Sequence, residues 1–179
     1  MKYLSGTRTH GILYDGMKGI KVKGYSDSDF AAEQTERKST SAYMFTLAGG
    51  AISWKSKKQS STATSTCEAE YIACCSATKE AVWLSRLIAD IHQMEAPEPI
   101  KLGVDNQGTI YLAKNPAINE RSKHIDVQYH YVRECVHKNK ILLHHCDTVN
   151  QLADSLTKPL ERIKHSRFTE LQGIVPTPF

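Results

Sequence analysis

Hydrophobic periodicity changes character along this 179-residue chain, and the order of the changes limits the folds open to it. In Ile20–Asp27 the apolar-leaning Ile20, Val22 and Tyr25 are interleaved with Lys21, Lys23 and Ser26, a strand period. Ala42–Leu47 and Ala51–Ser56 have strand composition and flank the hairpin turn Ala48-Gly49-Gly50. The pattern then turns helical. Leu84, Leu87, Ile88 and Ile91 repeat at i, i+3, i+4, i+7, and Thr64, Ser65 or Thr66 supplies a cap. That spacing predicts a helix to about His92, closed by Pro97 and Pro99. A short strand over Ile100–Asp105 precedes a helix over Asn106–Lys114, which Asn115-Pro116 stops. Ile125, Tyr129, Val132 and Val136 mark a further helix, Lys140–His145 a fifth strand, and Asn150–Lys158 a last helix start limited by Pro159.

Three strands followed by alternation with helices predict an α/β fold. Its sheet is mixed and five-stranded, a three-strand antiparallel meander plus two parallel strands, with helices on both faces. Right-handed crossovers set the fourth strand beside the first. The carboxyl ends of such neighbours are where ligands gather, and both strands run out onto an aspartate, Asp27 and Asp105. Residues 20–160 form the domain, with a Gly-punctuated lead-in over 1–19 and an amphipathic tail over 161–179.

Acids carry the chemistry. Asp27 and Asp29 share a face if the strand continues through both, and aspartate is depleted from strands because its charge resists burial. Glu68 and Glu70 stand in the first turns of the long helix, about 200° apart, so one of them can face a site at the strand ends. Asp154 opens the last helix. Separately, each acid reads as a turn, a helix-start charge or a solvated side chain. Together, converging carboxylates need a divalent cation, and oxygen-only ligands select Mg²⁺ or Mn²⁺ over zinc. Mg²⁺ completes its shell with water and phosphate oxygens, which points to phosphodiester hydrolysis with two ions.

Composition sets the remaining bounds. A net charge of +4 permits nucleic-acid contact without requiring it. Five cysteines (Cys67, Cys74, Cys75, Cys135 and Cys146), odd in number and without CxxC spacing, read as reduced thiols in an intracellular protein. No apolar run approaches the ~20 residues that span a bilayer, and the start resembles no signal peptide, so no membrane partner is expected. His124, His130, His137, His144, His145 and Cys146 lack the ligand spacing of a closed zinc site, so no zinc is expected.

Seven motifs then occur in one order: Gly24-Tyr25-Ser26-Asp27-Ser28-Asp29, Arg37-Lys38-Ser39-Thr40-Ser41, Ile52-Ser53-Trp54-Lys55-Ser56-Lys57-Lys58-Gln59, Ser65-Thr66-Cys67-Glu68-Ala69-Glu70-Tyr71, Val104-Asp105-Asn106-Gln107, Lys123-His124-Ile125-Asp126 and Gln151-Leu152-Ala153-Asp154-Ser155-Leu156-Thr157-Lys158. On them the chain resembles the RNase H domain of copia-type retrotransposon Pol polyproteins over nearly its whole length. The lead-in, with Tyr3-Leu4-Ser5-Gly6-Thr7, looks like the end of the reverse-transcriptase connection.

The resemblance implies a ribonuclease H-like fold that cuts the RNA strand of RNA–DNA hybrids with Mg²⁺, beside a reverse-transcriptase partner. It implies Asp27, Glu70, Asp105 and Asp154 as the catalytic, metal-binding quartet, with Asp29 as the alternative first acid, and Gln107 at the hybrid's minor groove. Phe30 departs from the family, standing where tryptophan is common. Arg37, Lys38, Lys55, Lys57 and Lys58 are candidate phosphate contacts or, equally, a solvated basic face. A histidine that assists product release is a family variation to which His144 is a weak match. The alternatives are a catalytically silent relic or domesticated nucleic-acid-binding module, and a related nuclease acting on DNA.

Overall fold

The computed structural model describes residues 2–31, 35, 37–115 and 123–177, with the backbone alone at 123–126. A helix α1 (Lys2–Gly6) and a short strand β1 (His10–Ile12) lead through a 3₁₀ turn into β2 (Lys23–Asp29). The meander continues as β3 (Thr40–Leu47) and β4 (Gly50–Lys58), followed by the long α2 (Thr66–Ile91). Then come β5 (Ile100–Val104), α3 (Gln107–Lys114), α4 (Lys123–His137), β6 (Ile141–His145), α5 (Asp154–Thr157), α6 (Arg162–Leu171) and β7 (Ile174–Pro176). The motif Lys123–Asp126 opens α4, but its side chains, His124 included, lie outside the described residues.

The main sheet has the order β4-β3-β2-β5-β6, so the fourth strand of the domain does lie beside the first. β2–β3 and β3–β4 pair antiparallel, while β2–β5 and β5–β6 pair parallel. Ser65 caps α2, its hydroxyl accepting from the Glu68 amide at 3.2 Å. This satisfies one of the four orphan N–H groups that every helix start exposes.

β3 is buried on both faces, as its unbroken apolar run Ala42-Tyr43-Met44-Phe45 requires. Tyr43 and Phe45 join Tyr71, Cys74, Leu84, Leu102 and Ile141 in the core beneath α2 and α4. Met44 points the other way, into a smaller core with Ala51, Leu152 and Phe168. Gly24 is required at the larger core, because a Cβ there would stand 2.4 Å from the Phe45 ring.

Several boundaries differ from the sequence reading. The first strand of the domain is Lys23–Asp29 instead of Ile20–Asp27, because its pairing with β3 continues to Asp29↔Thr40. The last helix start shrinks to the single turn α5, with Pro159 just beyond it. Lead-in and tail are joined: β1 pairs antiparallel with β7, and Phe168 of α6 is 1% exposed in the smaller core. Gly173 (φ 76°) makes the tail's approach possible, since a Cβ there would lie 2.7 Å from the Gly49 carbonyl.

Candidate active site

The parallel β2–β5 ladder ends at Ser26↔Val104, and the next residue on each strand is an aspartate. Asp27 is held in place by its pairing with Ala42, while Asp105 begins the turn into α3. Asp154, first residue of α5, completes a group in which each carboxylate offers an oxygen within 4.8 Å of the others. Asp27 and Asp154 are 1% and 0% exposed, and Asp105 is half-buried.

Gln151, fully buried, sets the strand ends and α5 in register. Its side-chain amide donates to the carbonyls of Ser26 (3.0 Å) and Gly103 (3.3 Å). Each bond ties the segment before Asp154 to the residue one or two positions ahead of a strand-end aspartate.

Glu70 reaches the site from α2. Its Oε1 accepts from the Ser28 amide at 3.2 Å, and its Oε2 is buried without a partner. Glu68 turns away toward the helix cap, where its Oε2 accepts from the Thr64 amide (2.7 Å) and hydroxyl (2.5 Å), reciprocating the Ser65 bond. Asp29, half-buried at the end of β2, is outside the 4.8 Å group. Glu68 is thus taken up by the helix cap, and Glu70 turns toward the strand ends, although it, like Asp29, lies outside the 4.8 Å group.

Electrostatics follow from crowding. Burial, then the charges of Asp27 and Asp105, push Glu70 up to about 9 against the pull of the Ser28 N–H. Burial raises Asp27 to about 6; the Thr157 hydroxyl, donating to its Oδ2 at 2.5 Å, opposes this, and Asp154 adds to it. Asp105 is raised by burial and by Asp154. Two lysines stand against Asp154: Lys158 Nζ at 3.2 Å from Oδ1 and Lys164 Nζ at 2.5 Å from Oδ2.

An all-carboxylate donor set with an orphaned buried oxygen suits a hard divalent cation. A cation held there would offset repulsion that burial otherwise magnifies. Thr157, Lys158 and Lys164 were not singled out as site residues from sequence, although Thr157 and Lys158 belong to the last motif.

Of the expected substrate contacts, Lys55, Lys57 and Lys58 line one cavity of about 150 Å³ with Gln59. Gln107 is exposed at the start of α3, whose cap is Asn106 accepting from the Thr109 amide at 3.0 Å. Arg37 is exposed with φ 55°, Lys38 is half-buried, and neither lines that cavity. His145, not His144, approaches the acids, its Nε2 3.1 Å from the Asp105 carbonyl.

No protein-family model matches the chain. It is 41% identical over 176 residues to the retrovirus-related Pol polyprotein from transposon TNT 1-94 of Nicotiana tabacum. That match covers 97% of the chain and 13% of the polyprotein. The chain belongs to the copia-type Pol family. It spans a small part of its Pol relatives.

Its fold is that of ribonuclease H. The N-terminal RNase H domain of Rv2228c from Mycobacterium tuberculosis superposes with a TM-score of 0.56 at 12% identity, covering 78% of the Pol chain and 91% of that one. LC11-RNase H1, solved in complex with an RNA/DNA hybrid, superposes with a TM-score of 0.50 at 13% identity, covering 76% and 93%. The resemblance read from the seven motifs thus holds for family and for fold. Among the described residues no helix is long and apolar enough to cross a membrane.

Proposed function

We propose that the chain is the RNase H portion of a copia-type Pol polyprotein, an endonuclease that hydrolyses the RNA strand of RNA–DNA hybrids using two Mg²⁺ ions, with Mn²⁺ able to substitute. The observation that carries this reading is the meeting of Asp27, Asp105 and Asp154 within 4.8 Å, with Glu70 beside them. One structural neighbour was solved with an RNA/DNA hybrid, which supports the substrate class. The Pol context supports a reverse-transcriptase domain as partner.

Asp27, Glu70, Asp105 and Asp154 would hold the ions. Bound there, the ions would supply an activated water and charge stabilisation of the leaving oxygen. The chain's own residues do the rest. Thr157 fixes the rotamer of Asp27 through its hydroxyl, and Gln151 holds the strand ends at a constant spacing. Lys158 and Lys164 offset the charge of Asp154. Lys55, Lys57 and Lys58, with Arg37 and Lys38, contact phosphates, and Gln107 reads the wide minor groove by shape.

A gel assay with end-labelled RNA in a hybrid, in Mg²⁺, tests the reading. RNA-strand products with 3′-hydroxyl ends are expected, lost with chelator and with Asp27→Asn or Asp105→Asn. Cleavage by either variant at the parental rate overturns the metal-site assignment. Binding without cleavage in every metal overturns the enzyme reading in favour of a silent nucleic-acid-binding module.

A further inference from the structure

α5 and α6 cover the smaller core, but the sheet face they stand on stays open toward β5 and β6. Two cavities lie there. The larger, about 550 Å³, is bordered by four exposed cations: Lys18, Lys21 and Lys23 from the approach to β2, and Arg167 from α6. Glu170 is the single acid on its wall. The second, about 330 Å³, shares Lys23, Tyr25 and Asn150 with the first and adds Lys101, His144 and one acid, Asp147, which His145 faces at 3.6 Å.

Lys23 and Lys101 are register partners on adjacent parallel strands, so their side chains leave the same face about 4.8 Å apart. Like charges set side by side on a sheet are unfavourable. Among the described residues no ion pair joins either lysine to an acid. The arrangement is one that a bound anion would relieve.

The two cavities form one track. Lys23, Tyr25 and Asp27 succeed one another on one face of β2, so Tyr25 stands about 7 Å from the acid site along the strand. His145, on the wall of the second cavity, approaches the Asp105 carbonyl, which closes the distance from the other strand. Volumes of this size take about one or two nucleotides, not a duplex. Cations that follow a backbone beside an aromatic ring are the pairing that single strands use, because every base has a face to stack.

We propose that this groove holds a single-stranded nucleic-acid segment, its phosphates on Lys23, Lys101, Lys21 and Arg167 and a base against Tyr25. Contacts to backbone and ring alone imply little preference among sequences or between RNA and DNA.

Binding there uses none of the four carboxylates, so it is measured in chelator, where nothing is cut. The experiment is fluorescence anisotropy with labelled oligouridylate and oligothymidylate 12-mers at several salt concentrations, on the full chain and on Lys23→Glu/Lys101→Glu. The double variant should bind both strands at least tenfold more weakly, and its log–log salt slope should fall by about 1.4, at ~0.7 per lost phosphate contact. Its cleavage of hybrid in Mg²⁺ and its Mg²⁺-dependent thermal shift should persist. A milder pair, Lys23→Gln/Lys101→Gln, keeps the test valid if the charge reversal prevents folding. Three results each overturn the proposal: no single-strand binding by the parent at 50 mM salt, unchanged affinity in the variants, or an equal loss of hybrid binding. The last would assign these lysines to the hybrid track. Failure of the cleavage assay alone leaves these binding results as they stand.

Discussion

The crowded acids make a prediction about stability that does not depend on activity. Glu70 is held up to about 9 in the folded chain, against an ordinary 4.5, with burial as the largest cause. A carboxyl whose folded value is raised binds its proton more tightly when folded. Its contribution is therefore complete below the unfolded value and is lost as pH rises from about 4.5 toward 9. At pH 7.5 the unfolded chain is ionised at this position and the folded chain is not. Three pH units at ~1.4 kcal/mol each would cost ~4 kcal/mol. Admission of water on unpacking of the site relieves part of such a cost, leaving ~2 kcal/mol as the working figure.

Glu70→Gln removes the titration while keeping the shape. Its amide oxygen can still accept from Ser28, and its NH₂ can face the carboxylates of Asp27 and Asp105. In EDTA at pH 7.5 the variant should melt about 4–8 °C above the parent, taking ~2–4 °C per kcal/mol for a domain of this size. At pH 5 the two should differ little. Added Mg²⁺ should narrow the gap. At an ion concentration ten times its Kd the parent gains ~1.4 kcal/mol, whereas the variant, lacking a carboxylate ligand, gains less. Differential scanning fluorimetry across pH 5 to 8.5, with and without Mg²⁺, reads all of this. A variant that melts no higher than the parent in EDTA at pH 7.5, with the same pH slope, would refute the claim that Glu70 is held protonated among the other acids.

Three further outcomes are expected. Thr157→Val removes the donor that opposes the upward shift of Asp27, so the acid limb of the cleavage pH profile should move to higher pH, with a larger loss at pH 6.5 than at pH 8.5; equal losses at both would contradict it. Gly24→Ala drives a Cβ to 2.4 Å from the Phe45 ring and 3.0 Å from Leu102, which should cost ~2 kcal/mol and lower the melting point by about 6 °C. Asp154→Asn leaves Lys158 and Lys164 without their shared anion, so the Mg²⁺-dependent thermal shift should shrink while the metal-free melting point falls, in contrast to Glu70→Gln.

What could be read from sequence was local. The meander announced itself through an unbroken apolar run on β3 and a Gly-Gly turn, and α2 through a cap and an i, i+4 face, because each signal lies within a few residues of its cause. The choice of Glu70 over Glu68 comes from the family's Ala-Glu-aromatic pattern; helix geometry adds only that two residues about 200° apart cannot both face the site. The pairing of β1 with β7 had no such signal. It joins positions more than 160 residues apart, and neither strand has a period long enough to register.

Asp154 shows the boundary most sharply. It begins a helix of one turn, too short to generate a periodicity, and nothing in its immediate neighbours marks a fully buried acid. The order of motifs drew attention to it. The physics that keeps it buried comes from elsewhere: Lys164 from the tail helix, Lys158 from the end of its own turn, and Gln151 tied to two strands. A buried charge needs partners from several directions at once, and only the folded chain brings them together. For the same reason the tail belongs to the energetics of the acid site. Removing residues 161–179 would take away Lys164 and Phe168 together. It should therefore weaken the site's charge balance and the core beneath it in one step, with loss of the Mg²⁺-dependent thermal shift as the measurement that decides.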